Sequence, residues 1–315
     1  MEQIPLFDAH CDSISFFLDS TEDTLSKSSG HLDLERVGGF APYAQFFALF
    51  ADSAARGPSM DIRYRILLER FCREVSRNSD RVVHCRTARE AQAVGDRGKI
   101  AAFLSVEGGE LLGCDPEKLD MAYRDGVRAI NVTWNHANAL SGSHKDCPEQ
   151  GLTGQGIRFV QRMRELGILI DVSHISDPGF WDVLEYAPGP VIATHSNARD
   201  VFFHTRNLTN EQITAIIKSR GVIGLNLFVD FMGREPTTVD TVLAHLEHIL
   251  ELGGADCVAL GGDWDGAEPL VGGFRDISDW RLLYEELSRR NYSESLLQNL
   301  FYFNLMRIVR DVCST

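Results

Sequence analysis

The sequence predicts a (β/α)8 barrel, and two patterns in its 315 residues carry that prediction. Eight short apolar runs have the length of strands and little polar alternation, which is typical of parallel strands buried on both faces. The runs lie near residues 5–9, 43–50, 100–106, 127–133, 168–173, 190–194, 221–227 and 257–262. Helical patterns lie between most of them, and repeated alternation of strand and helix favours a parallel barrel surrounded by helices.

The predicted helices rest on apolar residues at helical spacing. Residues 60–78, for example, carry Ile62, Ile66 and Phe71 at such spacing. The other predicted helices span residues 119–125, 156–166, 177–186, 210–219, 238–252, 277–290 and 293–312. Thr209, with Gln212 three residues later, has the pattern of an N-terminal capping box.

A doubly wound parallel sheet is the alternative architecture. It would place a glycine-rich phosphate loop after the first strand, whereas residues 8–12 read Asp-Ala-His-Cys-Asp. We therefore expect one barrel domain over residues 1–315. The polar segments 19–31 and 137–155 are expected to be loops on its catalytic side.

The composition argues against several classes of function. A net charge of −14 disfavours nucleic-acid binding, which requires a basic face. The sequence has no run of 18 apolar residues to span a membrane, and no signal-peptide pattern is visible. The seven cysteines are scattered without a Cys-x-x-Cys pair, so we expect reduced thiols in a cytoplasmic protein.

Histidine and acidic residues close five of the apolar runs. They are His10 and Asp12, Glu107, His174, His195, and Asp263. If the strands are parallel, these side chains gather at one rim of the barrel, where imidazoles and carboxylates can bind zinc or a similar metal and activate water. A single histidine at a strand end is more often a structural residue. The combination of three histidines with Asp12 and Glu107 favours a metal site.

Four residues can be interpreted in more than one way. Either Asp263 or Asp265 could stay free of metal and act as general base and then acid, although Asp265 also suits a simple turn. The guanidinium of Arg206 could bind a carboxylate through two hydrogen bonds, or it could be an ordinary surface arginine. His136 follows the fourth strand and could reach the pocket.

Six ordered segments together resemble the membrane dipeptidase (renal dipeptidase) family, within the amidohydrolase-like metal-dependent barrels. They are residues 8–12, 106–109, 171–174, 194–199, 206–209 and 261–266. They occur in the family's order, and the likeness covers residues 6 to about 310. The chain looks like a soluble bacterial-type member of that family.

The resemblance implies two zinc ions per chain and a role for each residue of the rim. His10, Asp12 and Glu107 would hold one zinc, and Glu107 would bridge to a second zinc held by His174 and His195. A hydroxide between the two metals would attack the peptide carbonyl. Asp263 would carry the proton to the leaving amine, and Arg206 would bind the substrate's C-terminal carboxylate.

One position departs from the family. Many members have a histidine after the fourth strand that is thought to polarise the scissile carbonyl, and in the best register Trp134 stands there. Either His136, two residues later, takes over this role, or the role is missing. Trp134 and His136 are both expected to be substrate-binding residues.

The sequence thus predicts a zinc-dependent dipeptidase acting on dipeptides, with no nucleic-acid or membrane partner. A homodimer is left open. A binuclear hydrolase of another amide, such as an N-acyl amino acid or a lactam, or of a lactone is the first alternative. A catalytically silent binding barrel is the second, but such a protein would be expected to lack some of the five metal ligands.

Overall fold

A computed structural model describes residues 3–20 and 22–313 of the protein. Its strands are β1 (Ile4–Cys11), β2 (Phe40–Phe50), β3 (Val82–His84), β4 (Ile100–Glu107), β5 (Val127–Asn131), β6 (Leu169–Asp171), β7 (Ile192–Ala193), β8 (Val222–Leu225) and β9 (Val258–Leu260). All pairings between them are parallel. The ring runs β1-β2-β4-β5-β6-β7-β8-β9 and closes on β1, which confirms the predicted barrel.

The eight predicted strands all occur, and one further strand was not predicted. β3 has three residues and pairs with the first residues of β4. A strand this short carries too few residues for a recognisable periodicity. The prediction of a single domain over residues 1–315 stays a prediction.

The helices surround the barrel. They are α1 (Ser13–Asp19), α2 (Met60–Arg77), α3 (Ala88–Gly95), α4 (Leu119–Asp125), α5 (Gly154–Leu166), α6 (Asp177–Tyr186), α7 (Asn210–Lys218), α8 (Val229–Met232), α9 (Val239–Glu251), α10 (Trp280–Arg289), α11 (Glu294–Gln298) and α12 (Asn304–Val312). The predicted helices all occur, and the last is divided by a π-helical segment at Asn299–Phe303. The predicted capping box of Thr209 and Gln212 is present at the start of α7. The short helices α1, α3 and α8 were not predicted.

The barrel interior is filled by side chains from every strand of the ring. Phe7 stacks on Phe46 and Phe103, and the three ring centroids lie 5.2–5.6 Å apart. Tyr302 of the π-helical segment packs against Phe7. Smaller residues of the other strands complete this cluster. A larger apolar layer lies between the strands and the outer helices. In the described part of the chain, no helix is both long enough and apolar enough to cross a membrane.

Candidate metal centre

The carboxyl ends of the strands bring the predicted metal ligands together. His10 lies near the end of β1, Glu107 ends β4, and His174 and His195 follow β6 and β7. Asp12 stands directly before α1. All five side chains are buried, so their charges and lone pairs are held largely away from water.

Glu107 lies between two sets of ligands and presents one oxygen to each. Its Oε2 is 3.4 Å from Nε2 of His10. Its Oε1 is 3.0 Å from Nε2 of His174 and 3.6 Å from Nε2 of His195. Nε2 of His10 is also 3.3 Å from Oδ2 of Asp12. This is the arrangement that a carboxylate bridging two cations would require.

Hydrogen bonds determine which ring nitrogen carries the proton in His174 and in His195. Nδ1 of His174 lies 2.9 Å from Oδ1 of Asn135, an acceptor, so this nitrogen carries the proton. Nδ1 of His195 lies 2.8 Å from the hydroxyl of Thr194, which itself donates to Asp171. Burial lowers the pKa of both histidines well below the usual value. Both rings are therefore neutral and turn an Nε2 lone pair inward, as metal ligands do.

Three features of these residues fit bound cations. The Nε2 atoms of His174 and His195 are only 2.8 Å apart, and two facing lone pairs repel unless a cation or proton lies between them. Oδ1 of Asp12 is buried and has no hydrogen-bond partner among the described residues. Burial and then the charge of Asp12 raise the pKa of Glu107 to about 8, which shows how poorly this carboxylate is compensated by protein groups alone.

The buried carboxylate of Asp8 holds the backbone next to His10 and Asp12. Its Oδ1 accepts hydrogen bonds from the backbone N–H of His10 and from Gln45, at 3.0 and 3.1 Å. Its Oδ2 accepts from Gly262 and from the indole N–H groups of Trp264 and Trp280. This carboxylate thereby links β1 to β2, to the loop after β9 and to α10.

Asp263 differs from Asp12 and Glu107 in its backbone conformation and in its hydrogen-bond partner. It has φ +60°, a conformation that non-glycine residues rarely adopt, and it lines the cavity. Its Oδ1 is 3.9 Å from Nε2 of His10, and its Oδ2 accepts a hydrogen bond from Asn226. Burial raises its pKa. A carboxyl group with a raised pKa can take up and release a proton.

Asp265 is committed to structural contacts. It accepts hydrogen bonds from the hydroxyl of Ser13 and the backbone N–H of His31, both at 2.5 Å. Its neighbour Gly266 allows a close approach, because a Cβ there would lie 2.1 Å from Oδ2 of Asp12 and 2.6 Å from Oδ1 of Asp263. The turn after β9 therefore packs directly against the carboxylates.

A cavity of about 300 Å³ opens above the ligands. Glu107, His174 and Asp263 line its floor, and aromatic rings form much of its wall. Phe50 packs on Trp134 on one side, and Phe228 packs on Phe231 on the other, with ring centroids 4.8 and 4.9 Å apart. The volume and the apolar wall with a polar floor suit a small molecule.

The two residues predicted after the fourth strand occupy different environments. Trp134 is part of the cavity wall. The side chain of His136 is 40 % exposed, and its Nε2 lies 3.9 Å from a carboxylate oxygen of Asp52. Its ring contacts the edge of Trp134 at 5.6 Å.

Arg206 is buried beside the cavity, with only 3 % of its surface exposed. Its Nη1 and Nη2 donate to Ser196 and to the backbone carbonyl of His195. Its Cζ lies 5.3 Å from the ring centroid of Phe231. Nε has no partner among the described residues. Burial lowers the pKa of Arg206 to about 10, so the group stays cationic at neutral pH without a carboxylate partner.

Several functional contacts have no clear signal in the sequence. Asn135 and His144 contact each other and support His174, but both belong to polar loop segments without a motif. His245 lies in the outer helix α9. It is fully buried, where its ring contacts the backbone N–H of Ala198 and the carbonyl of Met232.

Comparison with known proteins identifies the family. The family model described as Membrane dipeptidase (Peptidase family M19) matches residues 1–315. The chain belongs to this family. Human Dipeptidase 3 is 27 % identical over 328 residues, which cover 99 % of this chain and 66 % of that protein.

Two solved structures of metallopeptidases are similar over nearly the whole chain. One is a metallo peptidase from Rhodobacter sphaeroides liganded with a phosphinate mimic of the dipeptide L-Ala-D-Ala. It is 28 % identical with a TM-score of 0.89, covering 99 % of this chain and all of that one. The other, the dipeptidase AC of family M19, is 29 % identical with a TM-score of 0.90 over all of both chains. As a member of the membrane dipeptidase family, this protein is a metal-dependent hydrolase of peptide bonds.

Proposed function

We propose that this dipeptidase binds two zinc ions per chain and hydrolyses dipeptides with free C-terminal carboxylates. His10, Asp12 and Glu107 would hold one ion. Glu107, His174 and His195 would hold the other. The observation that carries the proposal is the position of Glu107, whose Oε2 lies 3.4 Å from Nε2 of His10 and whose Oε1 lies 3.0 Å from Nε2 of His174. Neutral imidazoles and carboxylates are also the donor set that zinc prefers in hydrolases.

The bound metals would lower the pKa of water and polarise the peptide carbonyl. The protein's part in the proton transfer falls to Asp263. Oδ1 of this residue would take the proton from the attacking water and deliver it to the nitrogen of the leaving amine, as the C–O bond forms and the C–N bond breaks. Asn226 would keep Oδ2 engaged during both steps.

Substrate length would be read by Arg206. Its buried charge lacks a carboxylate partner, and its Cζ lies close to Phe231 of the cavity wall. The free carboxylate of a dipeptide would supply that partner. The phosphinate dipeptide mimic bound by the similar R. sphaeroides enzyme supports a dipeptide as the substrate.

The test is a substrate panel combined with elemental analysis of the purified protein. We expect two zinc ions per chain and faster hydrolysis of dipeptides than of N-acyl amino acids, lactams or lactones. Preferential hydrolysis of any of these other substrates would favour the alternative amide or lactone hydrolase. Absence of transition metal, with no activation by added zinc, would refute the metal-dependent mechanism.

A further inference from the structure

In the loop after β5, the residue between Trp134 and His136 presents a polar side chain to the cavity. This residue is Asn135, and it lines the cavity together with Glu107 and His174. Its amide oxygen is held by two imidazoles: Nδ1 of His174 and Nε2 of His144 each lie 2.9 Å from Oδ1.

The surroundings of Asn135 determine which way its amide points. If the amide were turned over, its NH2 group would face Nδ1 of His174, which would then have to be the unprotonated nitrogen. The proton would move to Nε2 of His174, and that atom could no longer bind a metal. In the structure the oxygen faces the two histidines, and this orientation leaves Nε2 of His174 unprotonated, as metal binding would require.

The contacts of His144 agree with this orientation. Its Nδ1 lies 2.9 Å from the hydroxyl of Thr205, which can donate to it. A single neutral tautomer of His144, protonated at Nε2, then satisfies both Thr205 and Asn135. The backbone N–H of His144 also donates to the carbonyl of His174 at 2.8 Å, so the two loops are joined at this point.

With Oδ1 held in this way, Nδ2 of Asn135 is left as a fixed donor. It has no hydrogen-bond partner among residues 3–20 and 22–313, and it is not a fully buried atom. We propose that Asn135 is a catalytic residue whose Nδ2 donates a hydrogen bond to the oxygen of the scissile carbonyl. This inference rests on the proposed dipeptidase function.

A fixed amide donor suits this step because negative charge develops on the carbonyl oxygen as water adds. A donor already in place needs no reorganisation at that moment, so its bond is stronger in the transition state than in the bound substrate. Asn135 would thus do the work that a histidine at the position of Trp134 does in many relatives, from the next residue of the same loop.

The discriminating variant is Asn135→Asp, which keeps an oxygen for His174 and His144 but removes the NH2 donor. We expect it to retain two zinc ions and a KM within a few-fold of the wild type. Its kcat should fall by about 10²-fold, the usual effect of removing one such donor. The inhibition constant of a phosphinate dipeptide analogue should rise by a similar factor. Asn291→Asp makes the same chemical change at an exposed turn and is the matched control.

A second variant separates loss of the donor from the added charge. Asn135→Ala, assayed at saturating zinc, should also show reduced kcat and weaker phosphinate binding. If only Asn135→Ala were impaired, and only through its zinc content, Asn135 would merely support His174 and the proposal would be wrong. The proposal would also be wrong if Trp134→Phe, which removes the indole N–H, caused the loss and Asn135→Asp did not.

The outcome also separates this inference from the proposed function. A wild-type protein that binds zinc but hydrolyses no dipeptide would refute the proposed function, and this inference with it. A wild-type protein that hydrolyses dipeptides, together with a fully active Asn135→Asp variant, would refute this inference alone.

Discussion

Asn226 donates a 3.0 Å hydrogen bond from Nδ2 to Oδ2 of Asp263. This contact leaves Oδ1 of Asp263 on the side of the metal ligands, 3.9 Å from Nε2 of His10. Asp263 also has a left-handed backbone conformation, which costs on the order of 1–3 kcal/mol. The hydrogen bond from Asn226 is thus the contact that orients this carboxylate.

Replacement of Asp263 by Asn should remove the proton shuttle and leave the metals bound. We expect kcat to fall by about 10²-fold or more, because general acid–base catalysis typically contributes that much. Metal content and steady-state kinetics on one purified sample test this. Full activity of Asp263→Asn would make Asp265 the candidate shuttle, although its carboxylate is already occupied by Ser13 and His31.

Removal of metal should destabilise the fold as well as abolish activity. Without cations, the carboxylates of Asp12 and Glu107 remain buried next to each other, and the Nε2 atoms of His174 and His195 face each other at 2.8 Å. A ligand present at a thousandfold excess over its dissociation constant stabilises the folded state by about 4 kcal/mol. Calorimetry before and after chelation should show a lower melting temperature, and added zinc should restore it. An unchanged melting temperature would argue against structural coupling of the metals.

The barrel and the grouping of five candidate metal ligands at its rim could both be predicted from the apolar runs of the sequence. Buried parallel strands are continuous apolar runs, and a polar residue that ends such a run is easily seen, as with Glu107 after Val106. Contacts made by loop residues could not be predicted in this way. Asn135 and His144 meet within the long loop between β5 and α5, and both contact His174 in the loop after β6. No sequence pattern in either loop predicts these contacts.

His84 should make stability depend on pH in a way unrelated to the metal centre. It lies in β3, where burial and then the charge of Arg86 lower its pKa to about 4. The unfolded chain binds this proton near pH 6.5, so the folded state loses stability as the pH falls from about 6.5 to about 4. At about 1.4 kcal/mol per pKa unit, the upper bound of this loss is about 3 kcal/mol.

The matched variant for this prediction is His84→Gln, which removes the titrating group at the edge of Phe71. Denaturant unfolding at pH 7 and pH 5 should show a smaller loss of stability for the variant than for the wild type. Equal losses in the two proteins would mean that His84 is protonated as easily in the folded state as in the unfolded state.

Arg206 is the residue that should distinguish a dipeptide from a longer peptide. Its guanidinium is buried and is held by Ser196 and the carbonyl of His195, both neutral groups. A buried cation without an anionic partner is stabilised strongly by a carboxylate. The planar guanidinium can bind that carboxylate through two parallel hydrogen bonds. Arg206→Ala should therefore lower kcat/KM for dipeptides by about 2–4 kcal/mol, the usual cost of truncating one partner of a desolvated charge pair.

The same prediction can be tested by changing the C-terminus of the substrate. A dipeptide with an amidated C-terminus lacks the charge, so it should already be a poor substrate for the wild type and should lose little more in Arg206→Ala. Arg206→Lys keeps the positive charge but cannot form two parallel hydrogen bonds to a carboxylate. It should therefore retain only part of the wild-type preference for the free acid. If the free acid and the amide lost activity equally in Arg206→Ala, the arginine would act only through its contacts with His195 and Ser196. It would then support the metal centre without reading the carboxylate.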